Sequence, residues 1–261
     1  MNEAFFRLGL FLIVFAGLGL TELWRPRRRL SCDKAQRWRI NLALGAINIL
    51  AQRLILGGIV LAAALAAQKT GWGLFNLIGL PAPIEALLSL LALDAALYAQ
   101  HVATHKVPFL WRLHRVHHTD LDVDLSTALR FHPVEILLSA LWKAGIVFLL
   151  GAGPGIALLY EALLSAFTLF THSNVALPER WDGTLRRLFC TPDMHRRHHS
   201  TRTDETDSNY GNIFSFWDRL GGTYFRDPAL GQLGVILGLA DARKPKKLTL
   251  RRLLLMPLRK G

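Results

Sequence analysis

Cysteine is almost absent from the sequence: Cys32 and Cys190 are the only 2 in 261 residues. That excludes a disulfide-stapled scaffold, and it leaves too few thiolates for an iron–sulfur cluster. No G-x-G-x-x-G follows a strand-like run and no C-x-x-C-H occurs, so neither a dinucleotide fold nor an attached haem is encoded. Acidic residues are also scarce, 19 Asp+Glu against 31 Lys+Arg, a net charge of +12. Such an excess invites a nucleic-acid partner. A chain that is 51% hydrophobic, with a mean hydropathy of +0.27, has too little solvated surface for an ordinary soluble DNA binder, and no nucleic-acid partner is expected. The same composition excludes a disordered chain.

What the sequence has in abundance is long apolar runs. Leu8 to Leu20 is uncharged, and extending it from Ala4 to Trp24 adds only Arg7 and Glu22, enough to span about 30 Å of hydrocarbon. The residues before it carry one positive charge and no small-x-small site follows, which argues against a secretory leader. Further runs cover Asn41 to Ala67, interrupted by Arg53, then Ile84 to about Ala99, Val134 to Leu150, and Ile156 to Phe170. The cluster Gly151-Ala-Gly-Pro-Gly155 between the last two predicts a tight helix–helix turn; without a preceding strand or a following Lys-Ser/Thr it is not a phosphate loop.

Five alternating spans place residues 25–39, 100–133 and 171–261 on one side of a membrane. Those segments hold 7, 4 and 16 of the basic residues, 27 of 31. The positive-inside rule therefore assigns them to the cytoplasm and the N-terminus to the opposite side. Arg53, Lys143 and Glu161 fall within spans, where a charge needs a partner. A pairing of Glu161 with Arg53 or Lys143 is the expectation, with a substrate-channel role as the sharper alternative. Leu248 to Lys260 mixes leucine with arginine and lysine, and reads either as a basic segment on an anionic membrane surface or as a tail docked on the protein.

All ten histidines lie in the segments assigned to the cytoplasm. His101 and His105 form H-x-x-x-H; His114, His117 and His118 form H-x-x-H-H; His195, His198 and His199 repeat it; His132 and His172 stand alone. Positions i, i+3 and i+4 share one helix face, so two or three imidazoles converge from a single turn. Imidazole is the commonest metal ligand at neutral pH and suits iron, copper, zinc or nickel. The clustered eight, with His132 and His172 at span ends returning to the same mouth, suffice for two metals. A pH-titrating surface patch would not explain three clusters on one side. Metal-bound imidazoles usually donate their second N–H to a carboxylate or carbonyl. Asp94, two turns before His101, and Asp193 are the expected partners, with Asp120, Asp122 and Asp124 as further candidates. Asp204, Glu205 and Asp207 read as solvated.

The order H-x-x-x-H, W-R-x-H-R-V-H-H (Trp111 to His118), T-A-x-R-F-H-P (Thr127 to Pro133), H-S-N (His172 to Asn174), T-P-x-M-H-R-x-H-H (Thr191 to His199), N-Y-G-N and W-D-R-L-x-G-T-Y (Trp217 to Tyr224) resembles the fatty acid hydroxylase and sterol desaturase superfamily over roughly residues 90–226. The resemblance implies an all-α, polytopic integral membrane protein of about five transmembrane helices with a cytoplasmic histidine-rich cap. It divides the chain into N-terminal transmembrane helices and a basic loop (1–83), a catalytic unit (84–226) and a basic C-terminal tail (227–261).

It further implies a non-haem di-iron centre: two Fe ions held by His101, His105, His114, His117, His118, His195, His198 and His199, completed by His172 and His132. Dioxygen is the implied co-substrate, and a membrane lipid the substrate to be hydroxylated or desaturated. Electrons must come from a separate ferredoxin-like or cytochrome-type donor and its reductase. Residues 209–224 are expected to close the site or to anchor at the interface. Two other readings stay open on the residues alone: a membrane metal-binding or transport protein, and a zinc-dependent membrane hydrolase.

Overall fold

The computed structural model describes residues 3–259, with side chains from Leu8 onward, so the Arg7 side chain and Lys260 counted above lie outside the described residues. Among the described residues there is no strand, only three isolated β-bridges. The long helices are α1 (Glu3–Trp24), α2 (Lys34–Ala51), α3 (Ile59–Thr70), the short α4 (Leu74–Ile78), α5 (Ala82–Lys106), α6 (Pro108–His118), α7 (Pro133–Leu150) and α8 (Pro154–His172). The shorter α9 (Glu179–Leu185) and α10 (Pro192–His198) follow. Proline sets the starts: it is the first residue of α6, α7, α8 and α10 and flanks the first residue of α5, where its fixed φ and missing N–H cost nothing.

Four stretches are long and apolar enough to cross a membrane: Lys34–Ile78, Ala82–Lys106, Pro133–Leu150 and Pro154–His172; Leu8–Trp24 is a shorter apolar helix. The protein is thus all-helical and polytopic. Its outward faces stay apolar, with Ile13, Leu54 and Leu77 each more than 70% exposed, surface that lipid rather than water covers.

The second apolar run is not one straight helix. After α2 the chain makes a π-helical turn, Gln52–Leu56, and then passes through Gly57 and Gly58, both left-handed, before α3 starts. Arg53 sits on that turn and is exposed, so it is not the partner of Glu161. Lys143 Nζ is, at 2.7 Å from Glu161 Oε1. The α7–α8 connection is the tight turn expected, Gly151 ending α7 in the left-handed conformation. A Cβ on Gly73 would lie 2.3 Å from the Gly151 Cα, so these two glycines let the loop before α4 touch the end of α7.

Small side chains let α3, α5, α7 and α8 pack closely around Ala64, Leu93, Ala144, Val147 and Tyr160. The histidine helices sit at one end of this bundle. There Glu22, the acid at the end of the first apolar run, accepts from the backbone N–H groups of Leu125 (2.7 Å) and Asn174 (2.6 Å), tying α1 to the loops beside the site. The C-terminal segment docks on the protein: Leu248 and Leu253 are buried with Leu44 of α2, Val116 of α6 and Leu121. Val235 and Leu237 pack on Val123.

Candidate metal centre

Nine of the ten histidines converge. His101 and His105 project from the last turns of α5, His114, His117 and His118 from α6, His172 from the end of α8, and His195, His198 and His199 from α10 and its C-cap. They form two adjoining groups: His101, His105, His114, His118 and His198, and His117, His172, His195 and His199. Within each group one ring nitrogen per residue lies within 4.8 Å of every other. Rings of the two groups also meet, the His118 and His199 centroids lying 4.6 Å apart.

The tautomers follow from the partners, because a carbonyl or carboxylate only accepts. His101 Nδ1 donates to the Tyr210 carbonyl (2.7 Å), His117 Nδ1 to that of Arg130 (3.1 Å), His172 Nδ1 to that of Thr168 (2.7 Å) and His198 Nδ1 to that of Ser208 (2.7 Å). His114 Nδ1 donates to Glu135 Oε1 at 2.5 Å. Each of these bonds leaves Nε2 with a lone pair aimed inward.

In the second group the inward Nε2 atoms crowd together, His172 Nε2 lying 3.0 Å from those of both His117 and His195, and His195 Nε2 3.2 Å from that of His199. His117 and His172 each donate from Nδ1, so this contact sets lone pair against lone pair, and a shared cation relieves it. Seven further ring nitrogens have no hydrogen-bond partner in the protein: Nε2 of His101 and His198, both nitrogens of His105, and Nδ1 of His118, His195 and His199. Burial first, then the neighbouring imidazoles, push the ring pKa values of His117, His118, His195 and His199 well below their usual range and that of His198 down to about 3. Neutral, converging imidazoles with orphaned nitrogens fit metal ions, and a nitrogen-rich donor set fits iron.

His132 stands apart. It caps α7, its Nδ1 accepting from Val134 N–H (3.2 Å), while Nε2 donates to the Leu254 carbonyl (3.1 Å). Both nitrogens are used, which leaves no lone pair for a metal.

The carboxylates singled out from sequence also serve elsewhere. Asp94 takes no imidazole; it accepts from the N–H groups of Ile213 (3.3 Å) and Phe214 (3.0 Å), Trp217 Nε1 (3.0 Å) and Tyr160 O–H (3.3 Å). It therefore clasps the 211–217 loop to α5. Asp193 pairs with Arg27, at 3.0 Å, and with Arg196. Asp120 and Asp124 pair with Arg37, and Asp122 accepts from Ser31 and Cys32. Asp207, by contrast, is not simply solvated: it bonds Lys106 and Tyr210 and faces His105 Nδ1 at 3.4 Å without a hydrogen bond.

The partners missed from sequence are Glu135 and four backbone carbonyls. Glu135 carried a usable signal, an acid in the first turn of a largely apolar helix. The carbonyls carried none.

The 209–224 segment folds over the histidines. Asn209, at φ +53, spends its amide on Met194, on the Phe225 carbonyl and on Phe225 N–H. Asp218 receives the N–H groups of Tyr210 (2.7 Å) and Gly211 (2.9 Å). The Tyr210 ring lies 5.0 Å from that of His105 and 5.5 Å from that of His198.

Beneath the histidines, on the bundle side, lies a cavity of about 320 Å³. His101, His114, His117, His172 and His195 form one end; Leu97, Phe131, Ile136, Leu164 and Leu169 are among its apolar walls.

The fatty acid hydroxylase family profile matches residues 86–223. Over 148 residues the chain is 32% identical to an ornithine lipid hydroxylase of Rhizobium tropici, covering 57% of this chain and 44% of the relative. It is 29% identical over 155 residues to the alkylglycerol monooxygenase of Homo sapiens (59% and 34%) and 30% identical over 135 residues to a cholesterol 25-hydroxylase-like protein of Danio rerio (51% and 53%). The chain thus spans between about a third and a half of the length of these relatives. No solved structure matches it.

Proposed function

The chain belongs to the fatty acid hydroxylase family, and on that premise we propose that it is an integral-membrane oxidoreductase that hydroxylates or desaturates an unactivated C–H bond of a lipid. The relatives' names, each a hydroxylase or monooxygenase of a lipid or sterol, support the lipid class. Residues 84–226 form the catalytic unit on this reading.

The observation that carries it is the pair of converging histidine groups, in which His101, His114, His117, His172 and His198 spend Nδ1–H on outward acceptors and keep Nε2 turned inward. His101, His105, His114, His118 and His198 hold one iron ion and His117, His172, His195 and His199 the other. Bound iron supplies, with dioxygen and two external electrons, the oxidising power that side chains alone lack. The protein's own part is orientation and exclusion. The carbonyls of Arg130, Thr168, Ser208 and Tyr210 lock four imidazoles in one tautomer, and Glu135 raises the basicity of His114. The apolar walls below the histidines hold a chain against them and exclude bulk water, so the lipid arrives laterally from the bilayer.

The basic excess supports a cytoplasmic site and C-terminus with the N-terminus opposite. The same basic face suits an acidic electron carrier, ferredoxin-like or cytochrome-type, working with its reductase. Gathering of the histidines at one end of the bundle favours an enzyme over a transporter, whose ligands would trace a path across it.

Metal analysis of the purified protein tests the reading. About two iron ions per chain, lost together with lipid oxidation in His198→Ala, support it. One tightly held zinc ion and activity without oxygen would replace it with a hydrolase.

A further inference from the structure

Helix α7 contains three polar side chains besides the indole of Trp142: Glu135, Ser139 and Lys143. Their spacing of four places them in one stripe. On α8, Glu161, Ser165, Thr168 and His172 form a matching stripe. Both stripes line the cavity beneath the histidines. The stripes are joined at their far end by the Lys143–Glu161 pair, and midway along α7 Ser139 bonds Gln100 of α5 at 3.2 Å. Gln52, on the π-helical turn, lines the same cavity.

A hydrocarbon-binding cavity needs none of this. Pressing methylenes on a desolvated ion pair is costly, and a buried pair is weak support for stability when apolar residues of similar size would serve. The pair is also not sealed: Lys143 and Glu161 keep 12% and 14% of their side-chain surface exposed.

We propose that Lys143 and Glu161, with Ser139 and Gln100, form a recognition site inside the cavity for a neutral group that both donates and accepts hydrogen bonds, a hydroxyl or secondary amide carried on the lipid substrate. An ammonium has three donors, and a carboxylate accepts several bonds at once. The joined pair can therefore donate to the oxygen of such a group and accept from its O–H or N–H. An anionic group would be repelled by Glu161, a cationic one by Lys143, and an ester offers no donor. Lys143 lies eight residues along α7 from Glu135, so the recognised group sits about 12 Å from the histidine end, and the carbon held there is set by that spacing.

This inference rests on the lipid-oxidising reading for its substrate, but its test separates the two. The full chain, iron-loaded, is placed in phosphatidylcholine nanodiscs. Matched-length probes carrying a mid-chain hydroxyl, a secondary amide, an ester or no polar group are compared for equilibrium binding, by displacement of a fluorescent chain, and for turnover with dioxygen and a supplied ferredoxin, reductase and NADPH as the electron source. Wild type should bind the hydroxyl or amide probe at least about tenfold more tightly than the plain chain, the worth of one hydrogen bond to a charged group.

In Lys143→Met/Glu161→Met, which removes both charges at similar volume, that preference should collapse while plain-chain binding holds. Ser139→Ala, a milder change, should weaken the preference by several-fold. No preference in wild type, or one that survives both variants, overturns the proposal. Preference without any oxidised product leaves this site standing and removes the oxygenase reading.

Discussion

His114 Nδ1 lies 2.5 Å from Glu135 Oε1, a bond between the histidine helix α6 and the first turn of the apolar helix α7. It is the shortest contact any of the nine convergent imidazoles makes with a protein acceptor, and the one in which a carboxylate, not a carbonyl, receives the proton. Removing it should loosen His114 without touching the other ring nitrogens. Glu135→Leu is expected to lower iron affinity or turnover by about 10–100-fold, and Glu135→Gln, which keeps an acceptor oxygen, by less. Iron per chain after dialysis against a chelator measures both.

His132 and His172 should separate cleanly. In His132→Ala the chain loses a helix cap, about 1 kcal/mol of stability, and keeps its full iron content. In His172→Ala the second histidine group loses the imidazole at its centre, and iron content should fall. Equal iron loss in the two variants would contradict the exclusion of His132.

The Asp120 carboxyl predicts a pH dependence. Burial alone would raise its pKa, but Arg37 and Arg130 beside it hold the group well below the ordinary carboxylate range. The sign follows: the stabilisation is complete above the unfolded value, near about pH 4, and is lost as pH falls through the depressed native value. Thermal unfolding in detergent should show the melting temperature of wild type falling below that point. Asp120→Asn should melt lower at neutral pH, since it leaves Arg37 and Arg130 short of a buried partner, at a cost of about 3–5 kcal/mol, and should lose less on acidification.

Gly211 has no room for a side chain. A Cβ there would meet Cys190 Sγ at 2.6 Å, the Phe214 carbonyl at 2.8 Å and Asp218 Oδ2 at 2.9 Å. Gly211→Ala should cost about 1–3 kcal/mol by overpacking. Because the neighbouring Tyr210 carbonyl orients His101, iron retention should fall along with stability. A variant as stable and as iron-rich as wild type would show that the loop position does not matter.

The parts of this molecule that were readable in advance are those set by local periodicity. His114, His117 and His118 had to share a face because a helix repeats every few residues, and four of the five apolar runs expected as spans lie in stretches long and apolar enough to cross a membrane, the first being a shorter apolar helix among the described residues. Lys143 found Glu161 because a charge in such a run needs a partner. What failed was everything decided by chain segments far apart in sequence. Asp94 lies two turns from His101, yet the loop at 213–217 folds back and, with Tyr160, occupies its carboxylate. Asp120 lies two residues from His118 but answers to Arg37, 83 positions earlier. His132 looked like a ligand because its helix starts at the right end of the bundle; the docked Leu254 carbonyl claims it instead. The Gly57–Gly58 break in the second run was visible as composition, but its left-handed geometry was not.

The most direct test of the central claim is lipid mass spectrometry of cells with and without the protein, grown under oxygen-18 gas and under nitrogen, with His198→Ala as control. The account predicts a lipid that appears only with the intact protein and oxygen, either carrying the heavy label as a hydroxyl or lacking two hydrogens. A product that forms under nitrogen or persists in His198→Ala would contradict it, as would a lipid profile unchanged by the protein.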